Sequence, residues 1–314
     1  MNEITAENDP TRCWYLTGAT AVGKTAVALE LASRLGAEVL SLDSMAVYRG
    51  MDIGTAKPSP EQQRQVPHHL IDVVDPSDDF SVAQYRSLAL AKIVEVRGRG
   101  KEVLFVGGTP LYLKIMLRGM FDGPAADPAL RAEIEAQLEQ IGTPAAHARL
   151  AAIDPVAASA IHPNDARRII RALEVFHATG QPISHQQFEF EEGAPAEQRR
   201  VFVLRRERAD QHRRIEERVE AMLAAGLVEE ARGLTSKGRT LGPTASQAVG
   251  YREAFDFIAG AISEAEMTAR IQARTRRFAK RQGTWFRGLS ECRFVDVGET
   301  DAKQQAERIM VDGA

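Results

Sequence analysis

Residues 18–25 read GATAVGKT, which fits the pattern Gly, four residues, then Gly-Lys-Ser/Thr. No other segment restricts the fold as tightly. Such a loop works only where a strand delivers the chain and a helix carries it away, because its N–H groups must converge on phosphate oxygens at a helix N-terminus. The flanks supply both. CWYLTGAT is apolar and β-prone, and KTAVALELASRLGA carries apolar residues at helical spacing up to Gly36. Gly18, Ala19, Thr20, Ala21, Val22, Gly23, Lys24 and Thr25 are therefore the expected phosphate cradle. Lys24 adds a positive charge, and the Thr25 hydroxyl is placed for a Mg²⁺ ion held by the phosphates. The motif specifies a phosphate and leaves open which compound carries it.

Further β-α steps follow. EVLSLDS (38–44) reads as a buried strand ending on Asp43, and KEVLFVGG (101–108) as another, ending in a Gly-Gly-Thr turn before a helix that starts near Pro110. Between them, 45–79 is irregular and rich in Pro, Gly and Asp, and SVAQYRSLALAKIVEVRGRG (81–100) reads as helical with Ser81 placed as its N-cap. The expected fold is α/β, a P-loop NTPase-like parallel sheet flanked by helices. From 122 to 198 only helical, Ala-rich segments follow one another, which predicts an all-helical insertion at 122–198 within a core of 1–121 and 199–314. RRVFVLRR (199–206) and CRFVDVG (292–298) read as returning strands of the core.

The formal net charge of −3 gives no general support for nucleic-acid binding, so any such function must rest on local basic patches. No apolar run is long enough to span a bilayer, and the polar, acidic N-terminus lacks a secretory pattern, so a cytoplasmic, non-membrane protein is expected. Cys13 and Cys292 suggest neither a disulfide nor a zinc site. His68 and His69 read as structural, and Asn164 or Asp165 as a helix cap.

The acid that an ordinary P-loop NTPase places at the end of a core strand is missing from EVLFVGG. The strand that does end in an acid gives Asp43, which can hold Mg²⁺ through water, act as a general base, or cap the following turn. No Arg-rich lid segment is evident. Arg214 and Arg218 share a helical face beside Glu residues, the pattern of a salt-bridged surface helix. Thr109 can cap the helix after the Gly-Gly turn. RRIIR (167–171), QAVGYR (247–252) and KRQGTWFR (280–287), with Arg270, Arg274, Arg276 and Arg277 upstream of the last, read singly as solvated helix faces.

Taken together, Asp43-Ser44-Met45-Ala46, GMDIGTAKP (50–58), PHHLIDVVDP (67–76), VGGTPLY (106–112), DPVAASAIHPNDARRIIRALEV (154–175), VGYRE (249–253) and KRQGTWFR (280–287) resemble the tRNA dimethylallyltransferase (tRNA isopentenyltransferase) family. The resemblance runs from about Leu16 to Gly288. It implies transfer of the dimethylallyl group of dimethylallyl diphosphate to N6 of the adenosine on the 3′ side of the anticodon, with Mg²⁺ as cofactor. The implied partner is a tRNA anticodon stem-loop, and the expected state is a monomer. Thr20, Lys24 and Arg218 would act on the diphosphate and Asp43 would be the general base. Contacts to tRNA would come from Asp43, Ser44, Met45, Ala46, Thr109 and Arg131. Others would come from Arg167, Arg168, Ile169, Ile170 and Arg171, and from Gln247, Ala248, Val249, Gly250, Tyr251 and Arg252. The last set is Lys280, Arg281, Gln282, Gly283, Thr284, Trp285, Phe286 and Arg287. On this reading basic side chains hold phosphates, aromatic rings stack on splayed bases, and Gln282 reads a base edge. The chain departs from the family at Gln247, where many members carry Arg, and at Gly283, where a larger apolar residue is usual. The target adenine would flip out of its stack into a channel shared with the diphosphate. Two rival functions stay open, a small-molecule or nucleotide kinase and a nucleotide-switched nucleic-acid binder.

Overall fold

In the computed structural model, six short strands form one sheet: β1 (Trp14–Gly18), β2 (Ala37–Ser41), β3 (His68–His69), β4 (Glu102–Gly107), β5 (Arg200–Arg205) and β6 (Arg293–Asp296). Their order is β3-β2-β4-β1-β5-β6, and every neighbouring pair is parallel. The structure describes residues 4–120, 123–124, 127–187, 193–298 and 301–314. The four central strands, β2, β4, β1 and β5, are largely buried on both faces, as a parallel sheet covered by helices requires. Alternate side chains enter different cores: Trp14, Leu16, Phe202 and Leu204 face one, and Tyr15, Phe105, Val201 and Val203 the other.

The helices around the sheet and packed on one another are α1 (Lys24–Leu35), α2 (Pro60–Gln65), α3 (Val82–Gly98) and α4 (Pro110–Arg118), and then, after a separate helical unit, α10 (Arg208–Ala224), α11 (Leu227–Thr235), α12 (Tyr251–Ile258), α13 (Glu264–Arg287) and α14 (Ala302–Gly313). Ser81 caps α3 in a full capping box with Gln84. Gly36 ends α1 in the left-handed conformation. Helix α13 crosses from one core to the other, with Met267, Ile271 and Ala279 in the first and Phe286 in the second. The segment 45–79 is less irregular than its composition suggests, since it contains α2, capped by Ser59, and β3, which pairs with β2. His69 Nε2 lies 2.6 Å from Glu38 Oε2, and His68 Nδ1 2.7 Å from the Val66 carbonyl. Both histidines therefore brace the sheet edge, and no metal-holding group of His, Cys, Asp and Glu occurs among the described residues. No helix among them is long and apolar enough to cross a membrane.

The chain divides into two compact units, one comprising residues up to 117 together with 194–314, the other residues 118–193. The boundary expected between 121 and 122 falls outside the described residues. Residues 194–198 join the first unit, where a 3₁₀ turn (Ala196–Gln198) leads into β5. The second unit holds α5 (Pro128–Ile141), α6 (Thr143–Ile153), α7 (Pro155–Ala160), α8 (Ala166–Thr179) and α9 (Ser184–Gln187) around its own core, which includes Ile134, Leu150, Ile169 and Val175. Asp127, Asp154 and Asp165 cap three of these helices.

Candidate active site

The C-terminal ends of β1, β2 and β4 bring together the three turns that carry chemistry, at the sheet edge where open α/β folds bind ligands. The loop after β1 is fixed by sterics. Gly18 has φ +142°, and a Cβ there would meet the Leu204 carbonyl oxygen at 2.4 Å. Ala21 and Gly23 also take positive φ, +65° and +101°. Side chains then secure the loop's carbonyls. Lys24 Nζ donates to Gly18 O (3.0 Å) and Ala19 O (2.8 Å), Gln211 Nε2 to Thr20 O (2.9 Å), Arg214 Nε to Ala21 O (3.2 Å) and Arg206 Nη2 to Val22 O (3.5 Å). These donors hold the loop's carbonyls, and the Thr20 N–H is taken from the other side by Gln282 Oε1 (2.9 Å).

At the end of β4, Gly107 admits no side chain, since a Cβ there would lie 2.2 Å from Leu42 O, and a Cβ on Gly108 would lie 2.6 Å from Gln282 Nε2 and displace that amide. An acid at Gly107 is thus excluded by the backbone of the neighbouring strand end. The carboxylate comes instead from the turn after β2. Asp43 Oδ1 accepts from Met45 N (2.8 Å) and Ala46 N (3.4 Å), while Oδ2 accepts no hydrogen bond among the described residues. Capping and chemistry are therefore compatible in one side chain. Thr109 Oγ1 accepts from Ser44 N (3.0 Å), tying the Gly-Gly-Thr turn to the Asp43 turn.

Three charged groups interact here. Burial, with Arg218 beside it, pulls the Lys24 ammonium down from 10.5 to about 8, and Asp43 opposes that fall. Arg218 is likewise lowered by burial and supported by Asp43. It makes no hydrogen bond or ion pair among the described residues, unlike most arginines of this unit. Arg214, one turn earlier, is committed to the loop carbonyl of Ala21. Arg218 also lines a cavity of about 690 Å³ with Ile53, Lys57, Pro58, Asp72 and Met222. One wall is the GMDIGTAKP segment, which is itself braced. Glu230 accepts from the backbone N–H groups of Asp52 (3.0 Å), Ile53 (3.0 Å) and Gly54 (3.4 Å). Lys57, its side chain nearly buried, bridges Asp52 and Asp72.

The C-terminal basic stretch proves two-faced. Along α13, Arg270, Arg274 and Arg276 pair with acids (Glu266, Glu253 and Glu216). Arg277, Lys280, Arg281 and Arg287 are exposed and have no carboxylate partner among the described residues, beside the exposed rings of Phe278 (37%) and Trp285 (39%). That face has the composition of a single-stranded nucleic-acid platform. Gln247, Arg252 and Thr284 are exposed too. In the second unit Arg167 and Arg168 are exposed, Arg131 pairs with Glu135 (3.2 Å), and Arg171 is held by the buried Glu174 (3.0 Å).

Several expected contact residues point inward. Ala46, Ile169, Ile170, Ala248, Tyr251 and Phe286 are core side chains, 0–6% exposed. A contiguous stretch on a helix always sends some positions to the core. The Tyr251 hydroxyl donates to Glu230 Oε1 and accepts from Gly54 N (3.2 Å), so this ring braces a loop and does not stack on a base. Gln282, 5% exposed, has both ends of its amide engaged inside the protein, which opposes the expected reading of a base edge. Sequence reasoning missed Gln211, Arg206, Glu230 and Lys57. Only Gln211 left a signal, lying at i, i+3 and i+7 with Arg214 and Arg218 on one helical face.

The chain matches the family model described as IPP transferase over residues 46–289. It is 48% identical over 295 residues to a tRNA dimethylallyltransferase of Rhodopirellula baltica, covering 91% of this chain and 88% of that one. A tRNA dimethylallyltransferase of Geobacter metallireducens is 48% identical over 291 residues, covering 92% and 94%. Among solved structures, the tRNA isopentenylpyrophosphate transferase of Bacillus halodurans superposes with a TM-score of 0.68 at 40% identity, covering 95% of this chain and 94% of that one. A eukaryotic dimethylallyltransferase acting on tRNA gives 0.76 at 26% identity, covering 96% and 78%. On the extent of the family match and these identities, the chain belongs to the IPP transferase family.

Proposed function

We propose that the protein transfers the dimethylallyl group of dimethylallyl diphosphate to N6 of the adenosine 3′-adjacent to the anticodon of tRNAs, releasing diphosphate. The observation that carries this reading is the meeting of two cations, Lys24 and Arg218, with a carboxylate that keeps one oxygen free, Asp43, at a phosphate-binding loop. An allylic diphosphate is already a good leaving group, and its departure needs charge neutralisation more than a covalent catalyst. Lys24, Arg218, the Thr20 hydroxyl and the loop amides that make no internal hydrogen bond would meet that need. As the C–O bond to the diphosphate breaks, its electron pair leaves with the diphosphate oxygen. The adenine N6 forms the new C–N bond and gives up a proton to Asp43, the carboxylate that interacts with Lys24 and Arg218.

Mg²⁺ fits the residues present. The described residues offer no cluster of protein ligands able to hold a metal alone, and Mg²⁺ characteristically completes its shell with substrate phosphates and water. The Thr25 hydroxyl, with Asp43 through water, would hold it, and it would add positive charge to the leaving diphosphate. The anticodon stem-loop would lie on the exposed cations and rings of α13, with Arg252 as a further phosphate contact, and the exposed Arg167 and Arg168 are proposed separately as phosphate contacts of the helical unit. The kinase alternative is disfavoured by the strand end at Gly107–Gly108, which carries no acid and at Gly107 has no space for one.

The test is mass analysis of tRNA incubated with the protein, Mg²⁺ and dimethylallyl diphosphate, without ATP. One added five-carbon unit on the target adenosine is expected. Unchanged tRNA mass overturns the proposal, and a requirement for ATP would favour the kinase.

A further inference from the structure

We infer that Gln282 is a positioning residue of the donor site, an internal tie that sets the shape of the phosphate loop from the helix carrying the nucleic-acid face. This inference rests on the donor-site reading given above. Gln282 lies where α13 crosses from one core to the other, between Ala279 and Phe286. Its Oε1 accepts from Thr20 N (2.9 Å), across 262 residues of sequence, and its Nε2 donates to Gly108 O (2.6 Å). One amide thus joins the loop after β1 to the turn after β4, and both joined groups are backbone, so no rotamer change on the partner side can loosen the link. The absence of a side chain at Gly108 is part of the fit, because a Cβ there would strike the Gln282 amide.

The rest of the motif faces the other way. Lys280, Arg281, Thr284, Trp285 and Arg287 are exposed on the same two turns of α13. KRQGTWFR therefore contains two devices in one stretch, an outward basic and aromatic surface and an inward amide. Thr20 sits between the two loop positions with forced backbone, Gly18 and Ala21, and its carbonyl is held from the other side by Gln211 (2.9 Å). The Thr20 peptide is clamped at its N–H by α13 and at its carbonyl by α10. Removing the first clamp leaves a part-buried N–H and a buried carbonyl unpaired, which the chain relieves by shifting the loop. The amides that meet the diphosphate shift with it, while the outward face of α13 stays in place.

The experiment compares the full-length protein with Gln282→Ala and Gln282→Glu. Calorimetry measures inorganic pyrophosphate binding in the presence of Mg²⁺, and fluorescence anisotropy measures binding of an anticodon stem-loop RNA. Gln282→Ala should weaken pyrophosphate about tenfold, equivalent to about 1.4 kcal/mol, and raise the donor KM in parallel, with RNA affinity within twofold of the parent. Gln282→Glu keeps the side-chain volume and the acceptor for Thr20, but loses the donor to Gly108 and adds a negative charge near Lys24. It should weaken pyrophosphate at least as much, again sparing RNA, and it decides the question if the alanine variant does not fold. Weakened RNA binding with unchanged pyrophosphate binding overturns the inference and restores a base-reading role. Unchanged binding of both ligands, or equal loss of both in the glutamate variant, also overturns it. A parent protein that transfers no five-carbon unit but still loses pyrophosphate affinity on substitution separates failure of the donor reading from failure of the tie. A parent that does not bind pyrophosphate at all overturns both.

Discussion

Lys24 is a half-buried ammonium whose pKa falls from 10.5 to about 8, chiefly by burial and next by the nearby Arg218 charge. The change corresponds to about 3 kcal/mol of preference for the neutral amine. Only the ammonium form neutralises a leaving diphosphate, so activity toward the donor follows the protonated fraction. The free protein governs kcat/KM, and with a pKa of about 8 that ratio should be about tenfold lower at pH 9 than at pH 7. A lysine at its ordinary value would lose only about 4% over the same interval. The donor's own last ionisation, about 6 as in phosphate esters, lies too low to produce this limb. A bound diphosphate raises the Lys24 pKa, so kcat at saturating donor should hold to higher pH than kcat/KM. The assay is initial-rate prenyl transfer from pH 6.5 to 9.5 with tRNA saturating and donor varied, repeated with Lys24→Arg. Arginine stays protonated throughout, so the variant should lose the alkaline limb while its plateau drops, its planar fork fitting poorly where an ammonium reaches two loop carbonyls. A parent profile flat to pH 9.5, or a limb that survives unchanged in Lys24→Arg, refutes the assignment.

Three further outcomes follow from the same geometry. Asp43→Ala should lower kcat by about 10²- to 10⁴-fold at saturating substrates, and normal turnover with lost tRNA binding would make Asp43 a binding residue instead. Gly283→Ala should raise stability by about 0.8 kcal/mol in denaturant unfolding, since a Cβ on this mid-helix glycine meets nothing nearer than Arg287 Nη1 at 3.6 Å; destabilisation would reveal a packing demand there. Tyr251→Phe should cost about 2 kcal/mol, because it removes a donor to Glu230 and the acceptor for Gly54 N; a loss below about 0.5 kcal/mol would mean the loop is held without it.

The phosphate loop, the strand ends at Asp43 and Gly107–Gly108, and the separate helical segment were legible because each depends on local pattern: a fixed motif spacing, an apolar run, or a change of periodicity. The choice between Arg214 and Arg218 was not, since both occupy one helical face and only the approach of α10 to the loop separates a carbonyl clamp from an unpaired cation. The burial of Tyr251 and Gln282 was not legible for a related reason. Each lies among polar and basic neighbours on a helix whose buried positions are partly polar, so hydrophobic periodicity does not mark the inward face. Glu230 and Lys57 act on backbone groups many residues away, and such partners have no signature in composition or spacing.

The ties on the phosphate loop also fix when in the life of the chain this site can exist. Thr20, Ala21 and Val22 lie in the first tenth of the sequence, yet their partners Gln282, Gln211, Arg214 and Arg206 lie 184–262 residues downstream. At ordinary translation speeds of about 5–20 residues per second, that separation is on the order of ten to fifty seconds of synthesis. A nascent chain displays the Gly-Lys-Thr motif early, but its shape waits for α13. Donor binding therefore cannot assist the early stages of folding on the ribosome, and a chain truncated before residue 282 should carry the motif without the pocket.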